Sequence, residues 1–133
     1  DLYVVAIGTN DIRYRNNSIC AMNEEEYTDY ATELRSKLSK RNPRAEFIWI
    51  APWYATDGDP YSKLNYHEKN KMNKHYTNAL DKFCKKVGDV FINSNIRIKE
   101  KLDRYPQNLY LVDHIHPNAN KGIILYSESV LLY

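Results

Sequence analysis

The sequence is poor in cysteine and has no long apolar stretch. Its two cysteines, Cys20 and Cys84, are too few for a disulfide framework, and no C-x-x-C pair suggests a zinc or redox site. We therefore predict that both are free thiols. No apolar run reaches the roughly 20 residues of a membrane-spanning helix, so no membrane span is expected.

The sequence also lacks a strong excess of charge of either sign. Nineteen basic and 17 acidic residues are scattered along the chain and give a formal net charge of +2. Without a concentrated basic surface, nucleic-acid binding is not expected. Internal repeats, low-complexity tracts and Gly/Ser-rich linkers are absent as well, which predicts that residues 1–133 belong to one globular domain.

Strand-like and helix-like segments alternate along the chain. Apolar, β-branched runs predict buried strands at 2–7, 46–51 and 90–92, the first of them covered on both faces. Helices are predicted at 23–41, 65–87, 96–102 and 119–132, and a short extended run at 109–112. This alternation predicts an α/β fold, a three-layer α/β/α sandwich with a parallel sheet of flavodoxin-like type. In such sheets, ligands bind at the carboxyl ends of the strands.

Helix ends are marked by a few polar residues and a glycine. Asn23 and Glu26 have the spacing of a capping box, so Asn23 is expected to begin a helix. Gly88 is placed to end the long helix, and Asn118 is placed to begin the last one.

A cluster of polar residues precedes the last predicted helix. It reads Asp113-His114-Ile115-His116-Pro117-Asn118. A carboxylate three residues before a histidine, in a turn stiffened by proline, can contact the imidazole and fix its tautomer. The other ring nitrogen is then available as a general base.

A second polar cluster, Gly8-Thr9-Asn10-Asp11, follows the first predicted strand directly. Gly8 permits a tight turn at the end of the strand. Asn10 can present its amide to negative charge that develops during a reaction. Asp11 is expected to brace the turn.

Together, the two clusters resemble conserved blocks of the SGNH (GDSL-like) hydrolases, which read Gly-x-Asn-Asp and Asp-x-x-His, the latter often continuing Pro-Asn. The matching residues are Gly8, Asn10, Asp11, Asp113, His116, Pro117 and Asn118. The resemblance implies a serine esterase in which His116 is general base and acid, Asp113 orients it, and Asn10 is an oxyanion-hole donor. It implies no metal and no organic cofactor.

Two other blocks of that family do not precede Gly8. One is the Gly-Asp-Ser block with the nucleophile, and the other is a block whose glycine N–H completes the oxyanion hole. The Gly-Asp pairs of this chain, Gly58-Asp59 and Gly88-Asp89, lead to Pro60 and Val90. Since the sequence starts inside a predicted strand, we expect residues 1–133 to be the C-terminal part of a longer domain whose N-terminal strands are missing from this chain.

Simpler interpretations remain open for each of these features. Asp113 and His116 can form a hydrogen-bonded pair that only stabilises a loop, or bind a metal together with His114. Asn10 can serve only to close a turn. Trp53 and Tyr54, after the second strand, can line an active-site rim or simply pack.

The predicted function is that of an esterase or acylhydrolase acting on a carboxylic ester of a small molecule or glycan, by hydrolysis or by O-acetyl transfer. A non-catalytic SGNH-like module that binds glycans or proteins is the alternative. Cys84 is expected to be buried, whereas His67, His75, Lys69, Lys71 and Lys74 are expected to form a solvated face.

Overall fold

A computed structural model describes residues 1–12, 22–54, 56–58 and 64–131. The strands in this part of the chain are β1 (Leu2–Ala6), β2 (Glu46–Ile50) and β3 (Val90–Ile92). The helices are α1 (Thr9–Ile12), α2 (Glu24–Arg41), α3 (Tyr66–Val87), α4 (Asn95–Arg104) and α5 (Lys121–Leu131). A 3-10 turn, Gln107–Leu109, precedes the loop that leads to α5.

The strands form a parallel sheet in the order β1-β2-β3. Val5 pairs with Trp49, and Ile50 pairs with Ile92, so the carboxyl ends of the strands lie at one edge. The helices α2 and α3 provide the crossovers between the parallel strands. The predicted α/β fold with a parallel sheet is thus confirmed.

The main core lies between one face of the sheet and the pair α2 and α3. Its largest enclosed side chain is Trp49, which is completely buried. The buried residues of this core are Val5, Ile12, Tyr27, Ala31, Phe47, Trp49, Tyr76, Leu80, Phe83 and Cys84. A second cluster joins α4 and α5 to the segment after β2, which comprises residues 51–54 and 56. The buried residues of this cluster are Trp53, Tyr54, Ile98, Leu102, Leu111 and Leu125.

The first strand differs from its prediction. Its pattern is typical of a strand covered on both faces, but Leu2 is 55% exposed and Val4 58% exposed. Their neighbour Val5 points to the opposite face and is buried against α2 and α3. Within the described residues, β1 is an edge strand and one of its faces is uncovered.

The predicted helix ends are largely confirmed. The Asn23 side chain accepts hydrogen bonds from the N–H groups of Glu25 and Glu26, and Glu26 accepts one from the Asn23 N–H in return. Gly88 ends α3 with φ of +79°, where glycine is favoured. The side chain of Asn118 accepts the N–H groups of Asn120 and Gly122 at the start of α5.

Two local predictions are wrong. Residues 109–112 are not extended, because Leu109 ends a 3-10 turn and Leu111 forms only an isolated bridge to Pro117. Lys69 is not on a solvated face, since it is 4% exposed and its ammonium group donates to the Thr56 carbonyl at 2.6 Å. A buried ammonium group needs such an acceptor.

Asp89 connects α2 to the sheet within the main core. It lies between Gly88 and β3, and its carboxylate accepts two hydrogen bonds from Arg35 of α2, at 2.8 and 2.9 Å. The same carboxylate accepts the indole N–H of Trp49 from β2 at 2.9 Å. Its side chain is only 5% exposed, so the contact joins a helix and a strand inside the fold.

Candidate active site

Asp113 and His116 form one compact turn in the loop before α5. One carboxylate oxygen of Asp113 accepts the N–H groups of Ile115 and His116, each at 2.8 Å. The other oxygen lies 2.7 Å from Nδ1 of His116. The turn forms because an aspartate can accept N–H groups two and three residues later in the chain. The same bonds hold the imidazole beside the carboxylate.

These hydrogen bonds favour the charged form of Asp113. The backbone N–H and the imidazole of His116, together with the N–H of Ile115, lower the pKa of the Asp113 carboxyl far below its usual value. An ionised carboxylate accepts the Nδ1 proton, which leaves the lone pair on Nε2 of His116. The His116 side chain is 66% exposed, so this nitrogen is accessible to a reacting group.

The turn is held at its base by backbone contacts. The N–H of Val112 donates to the carbonyl of His116 at 2.9 Å, and Leu111 bridges to Pro117. The N–H of Asn118 donates to the carbonyl of Tyr110 at 2.8 Å. Residues 111–117 therefore form a closed loop whose two ends are fixed to each other.

Asn10 lies in the short helix α1, directly after β1. The turn begins at Gly8, whose φ of +106° is rarely adopted by other residues, and whose carbonyl accepts the N–H of Asp11 at 3.1 Å. A Cβ at position 8 would be 2.9 Å from both Pro52 and Tyr27. Asn10 itself is exposed at the carboxyl edge of the sheet.

The segment after β2 contacts both polar clusters. The N–H of Trp53 donates to the Thr9 hydroxyl at 2.8 Å, and the Thr56 hydroxyl donates to the carbonyl of His114. The opposite side of this segment is held by buried amides, since Asn73 and Asn95 both donate to the Pro52 carbonyl, at 3.0 and 2.8 Å. The segment thus connects the Asn10 turn and the His116 turn at one edge of the sheet.

The predicted site residues therefore fall into two groups. Asp113 and His116 are in direct contact. Asn10 lies on a separate turn, and the segment after β2 is hydrogen-bonded both to that turn, at Thr9, and to the loop of His116, at His114. The supporting roles of Tyr27 and Thr56 were not predictable from the sequence. Tyr27 donates its hydroxyl to the Ile7 carbonyl at 3.1 Å, a contact between distant residues that no local motif indicates.

The structure also shows the surroundings of other residues considered in the sequence. Trp53 and Tyr54 are 8% and 7% exposed and pack in the second cluster, in agreement with the packing interpretation. His75 is exposed and pairs with Glu24 at 2.7 Å. Cys84 is buried, as predicted, and burial raises the pKa of its thiol to about 12. Cys20, which is predicted to be a free thiol, lies outside the described residues, as do Asp59 and Pro60.

In the described ranges, no group of three or more His, Cys, Asp or Glu side chains is arranged to hold a metal ion. None of the helices described is long and apolar enough to cross a bilayer.

Solved structures with the same fold include esterases. A catalytic mutant of Axe2, an acetylxylan esterase from Geobacillus stearothermophilus, is 17% identical with a TM-score of 0.66, over 96% of this chain and 56% of that one. A protein from Parabacteroides merdae, named a GDSL-like lipase, is 14% identical with a TM-score of 0.69, over 99% of this chain and 61% of that one. The chain thus spans little more than half the length of these structures. No curated protein matches it in sequence.

The sequence profile of one family covers most of the chain. The profile of the GDSL-like lipases and acylhydrolases matches residues 1–123, which include both polar clusters. On this match and on the parallel α/β fold, the chain belongs to the GDSL-like lipase/acylhydrolase family.

Proposed function

We propose that the protein containing this chain is a serine esterase, with Asp113, His116 and Asn10 as residues of its active site. The observation that carries the proposal is the 2.7 Å contact between the Asp113 carboxylate and Nδ1 of an exposed His116. A carboxylate in this position orients the imidazole as a general base and stabilises its charged form. The nucleophilic serine would come from a segment outside these 133 residues.

The proposed reaction assigns one role to each group. Nε2 of His116 takes the serine proton as the serine oxygen attacks the ester carbonyl, and the amide of Asn10 donates to the resulting oxyanion. Collapse of the tetrahedral intermediate breaks the bond to the alcohol, which leaves with the proton from His116. Water, activated by the same histidine, then releases the acid and restores the serine. With a sugar hydroxyl in place of water, the same steps transfer the acyl group.

The names of related structures support the same assignment. The catalytic mutants of Axe2 replace a serine, an aspartate, and a histidine three positions after that aspartate. Asp113 and His116 have this spacing, and Axe2 is an acetylxylan esterase. We therefore propose acetyl or other short acyl esters of sugars as the substrate class.

The proposal predicts a selective loss of activity in the full-length protein. His116→Ala should lower kcat for hydrolysis of p-nitrophenyl acetate on the order of 10⁴-fold or more, because the serine loses its base. His75→Ala is a matched control, since His75 is also exposed and also has a carboxylate 2.7 Å from Nδ1. Equal rates for His116→Ala and wild type would contradict the proposal.

A fluorophosphonate probe separates this function from the non-catalytic alternative. A serine activated by His116 should form a covalent adduct with the probe, detected by mass spectrometry, and His116→Ala should prevent it. An intact full-length protein that forms no adduct would favour the binding module.

A further inference from the structure

Helix α3 presents two buried polar side chains to the segment after β2. Lys69 and Asn73 are four residues apart and therefore lie on the same face of the helix. They are 4% and 5% exposed. The Lys69 ammonium group donates to the Thr56 carbonyl at 2.6 Å. The Asn73 amide donates to the carbonyls of Pro52 and Trp53, each at 3.0 Å. One face of α3 thus holds the segment after β2 near both of its ends.

Thr56 connects Lys69 to the loop that carries His116. Its carbonyl accepts a hydrogen bond from the Lys69 ammonium group, and its hydroxyl donates to the carbonyl of His114. Thr56 is 2% exposed, so both contacts are shielded from water. His114 belongs to the closed loop of residues 111–117, in which His116 follows two residues later. The Lys69 side chain is therefore two hydrogen bonds away from the backbone that carries the proposed base.

Asn73 has the corresponding relation to the turn of Asn10. It donates to the carbonyl of Trp53, and the N–H of Trp53 donates to the Thr9 hydroxyl at 2.8 Å. Thr9 directly precedes Asn10 in α1. The turns of Asn10 and His116 are thus both hydrogen-bonded to a segment that is itself held by one face of α3.

The chemistry of Lys69 suits a fixing role. Burial of an ammonium group costs free energy that an apolar side chain at the same position would not. In return, its hydrogen bond to a carbonyl is charge-assisted, and such bonds are short and strong, which fixes Thr56 firmly. The position of a catalytic group matters, because about 1 Å of misplacement can cost on the order of 10²-fold in rate. The His116 side chain is 66% exposed, so packing of its own ring does little to fix it.

We propose that Lys69 is a positioning residue for the proposed base. Through Thr56 it sets the place of the loop of residues 111–117, and hence of Nε2 of His116, relative to the oxyanion donor Asn10. Lys69 takes no part in the proton transfers. This role rests on the esterase function proposed above and adds to it a residue from a different element of the fold.

Lys69→Met tests the role in the full-length protein, because methionine keeps an unbranched side chain without the donor. kcat/KM for p-nitrophenyl acetate should fall about 10²-fold. In the His116→Ala background, the same change should alter the residual rate by less than about threefold, because no base is left to position. An equal loss in the two backgrounds, or no loss when His116 is present, would overturn the proposal.

Thr56 tests the same connection without removing a buried charge, so the test stands even where Lys69→Met fails to fold. Thr56→Val removes the hydroxyl that holds the His114 carbonyl and should lower kcat/KM about tenfold. Thr56→Ser keeps a hydroxyl and should retain most of the activity. Equal losses in the two Thr56 variants would show that the hydroxyl does not act on the loop, against the proposal.

Arg35→Met is the matched control for the loss of a cationic donor. The partner of Arg35 is Asp89, which precedes β3 and so lies at the opposite edge of the sheet from the His116 loop. The Tm should fall, whereas kcat/KM of the folded protein should not change. A rate loss like that of Lys69→Met would show that lower stability alone slows the reaction, and would overturn the positioning role.

The positioning role and the esterase function can fail separately. A wild-type rate in His116→Ala would contradict the esterase function itself. A large loss in His116→Ala, together with wild-type rates in Lys69→Met and Thr56→Val, would overturn only the positioning role.

Discussion

The turn that carries Asn10 depends on the absence of a side chain at position 8. Gly8 combines a positive φ with two contacts that any Cβ would make too close, one to Pro52 and one to Tyr27. The sequence predicted the tight turn, because a glycine ends an apolar strand. It did not predict the crowding, because Pro52 and Tyr27 are distant along the chain and only the fold brings them to Gly8.

Two glycine substitutions should separate strain from crowding. Gly88→Ala puts a Cβ into open space at φ of +79°, and should cost about 1 kcal/mol of unfolding free energy. Gly8→Ala adds a clash to the strain and should cost about 3 kcal/mol. Urea unfolding of the full-length protein measures both, and equal losses would argue against the crowding.

At the scale of the element, α5 packs closely against the loop that carries His116 because residue 122 is a glycine. Gly122 lies in the first turn of α5, where a Cβ would be 1.9 Å from the Tyr110 carbonyl and 3.0 Å from Pro117. The helix was predictable from its apolar residues and Asn118. The course of residues 109–112 was not, because their N–H groups bond to the carbonyls of Pro106, Gln107 and His116 and not to a strand.

Gly122→Ala should therefore reverse the usual effect of alanine in a helix. Replacing an unconstrained helical glycine by alanine typically stabilises by about 1 kcal/mol. Here the same change should destabilise by about 2 kcal/mol and lower esterase activity, because Tyr110 and Pro117 must move. Lys121→Ala, at the exposed neighbouring position, is the control. Unchanged stability in Gly122→Ala would contradict the packing described.

At the scale of the whole molecule, periodic apolar residues and caps predicted the order of strands and helices. They did not predict the polar contacts that join them. The buried carboxylate of Asp89 meets Arg35 and Trp49 from 54 and 40 residues away in sequence. Likewise, Asp113 and His116 were predictable as a local pair, whereas the link from Thr9 to the segment after β2 depends on the fold.

Asp89 should therefore matter far more for stability than an exposed ion pair. Asp89→Ala leaves Arg35 and the Trp49 indole without their acceptor and should cost about 3 kcal/mol in urea unfolding. Asp81→Ala removes a helix-surface pair with Lys85 and should cost at most about 0.5 kcal/mol. Similar losses of unfolding free energy in the two variants would show that the contacts of Asp89 with Arg35 and Trp49 contribute little to stability.

The stacked pair of Tyr27 and Tyr76 has a consequence for how the sequence can vary. Their rings are 4.3 Å apart, and their hydroxyls hold the carbonyls of Ile7 and Met22, which lie on either side of residues 13–21. The two carbonyls are thus held by side chains of α2 and α3. A change of sequence between Ile7 and Met22 can therefore leave both anchors in place, because the two donor hydroxyls belong to α2 and α3.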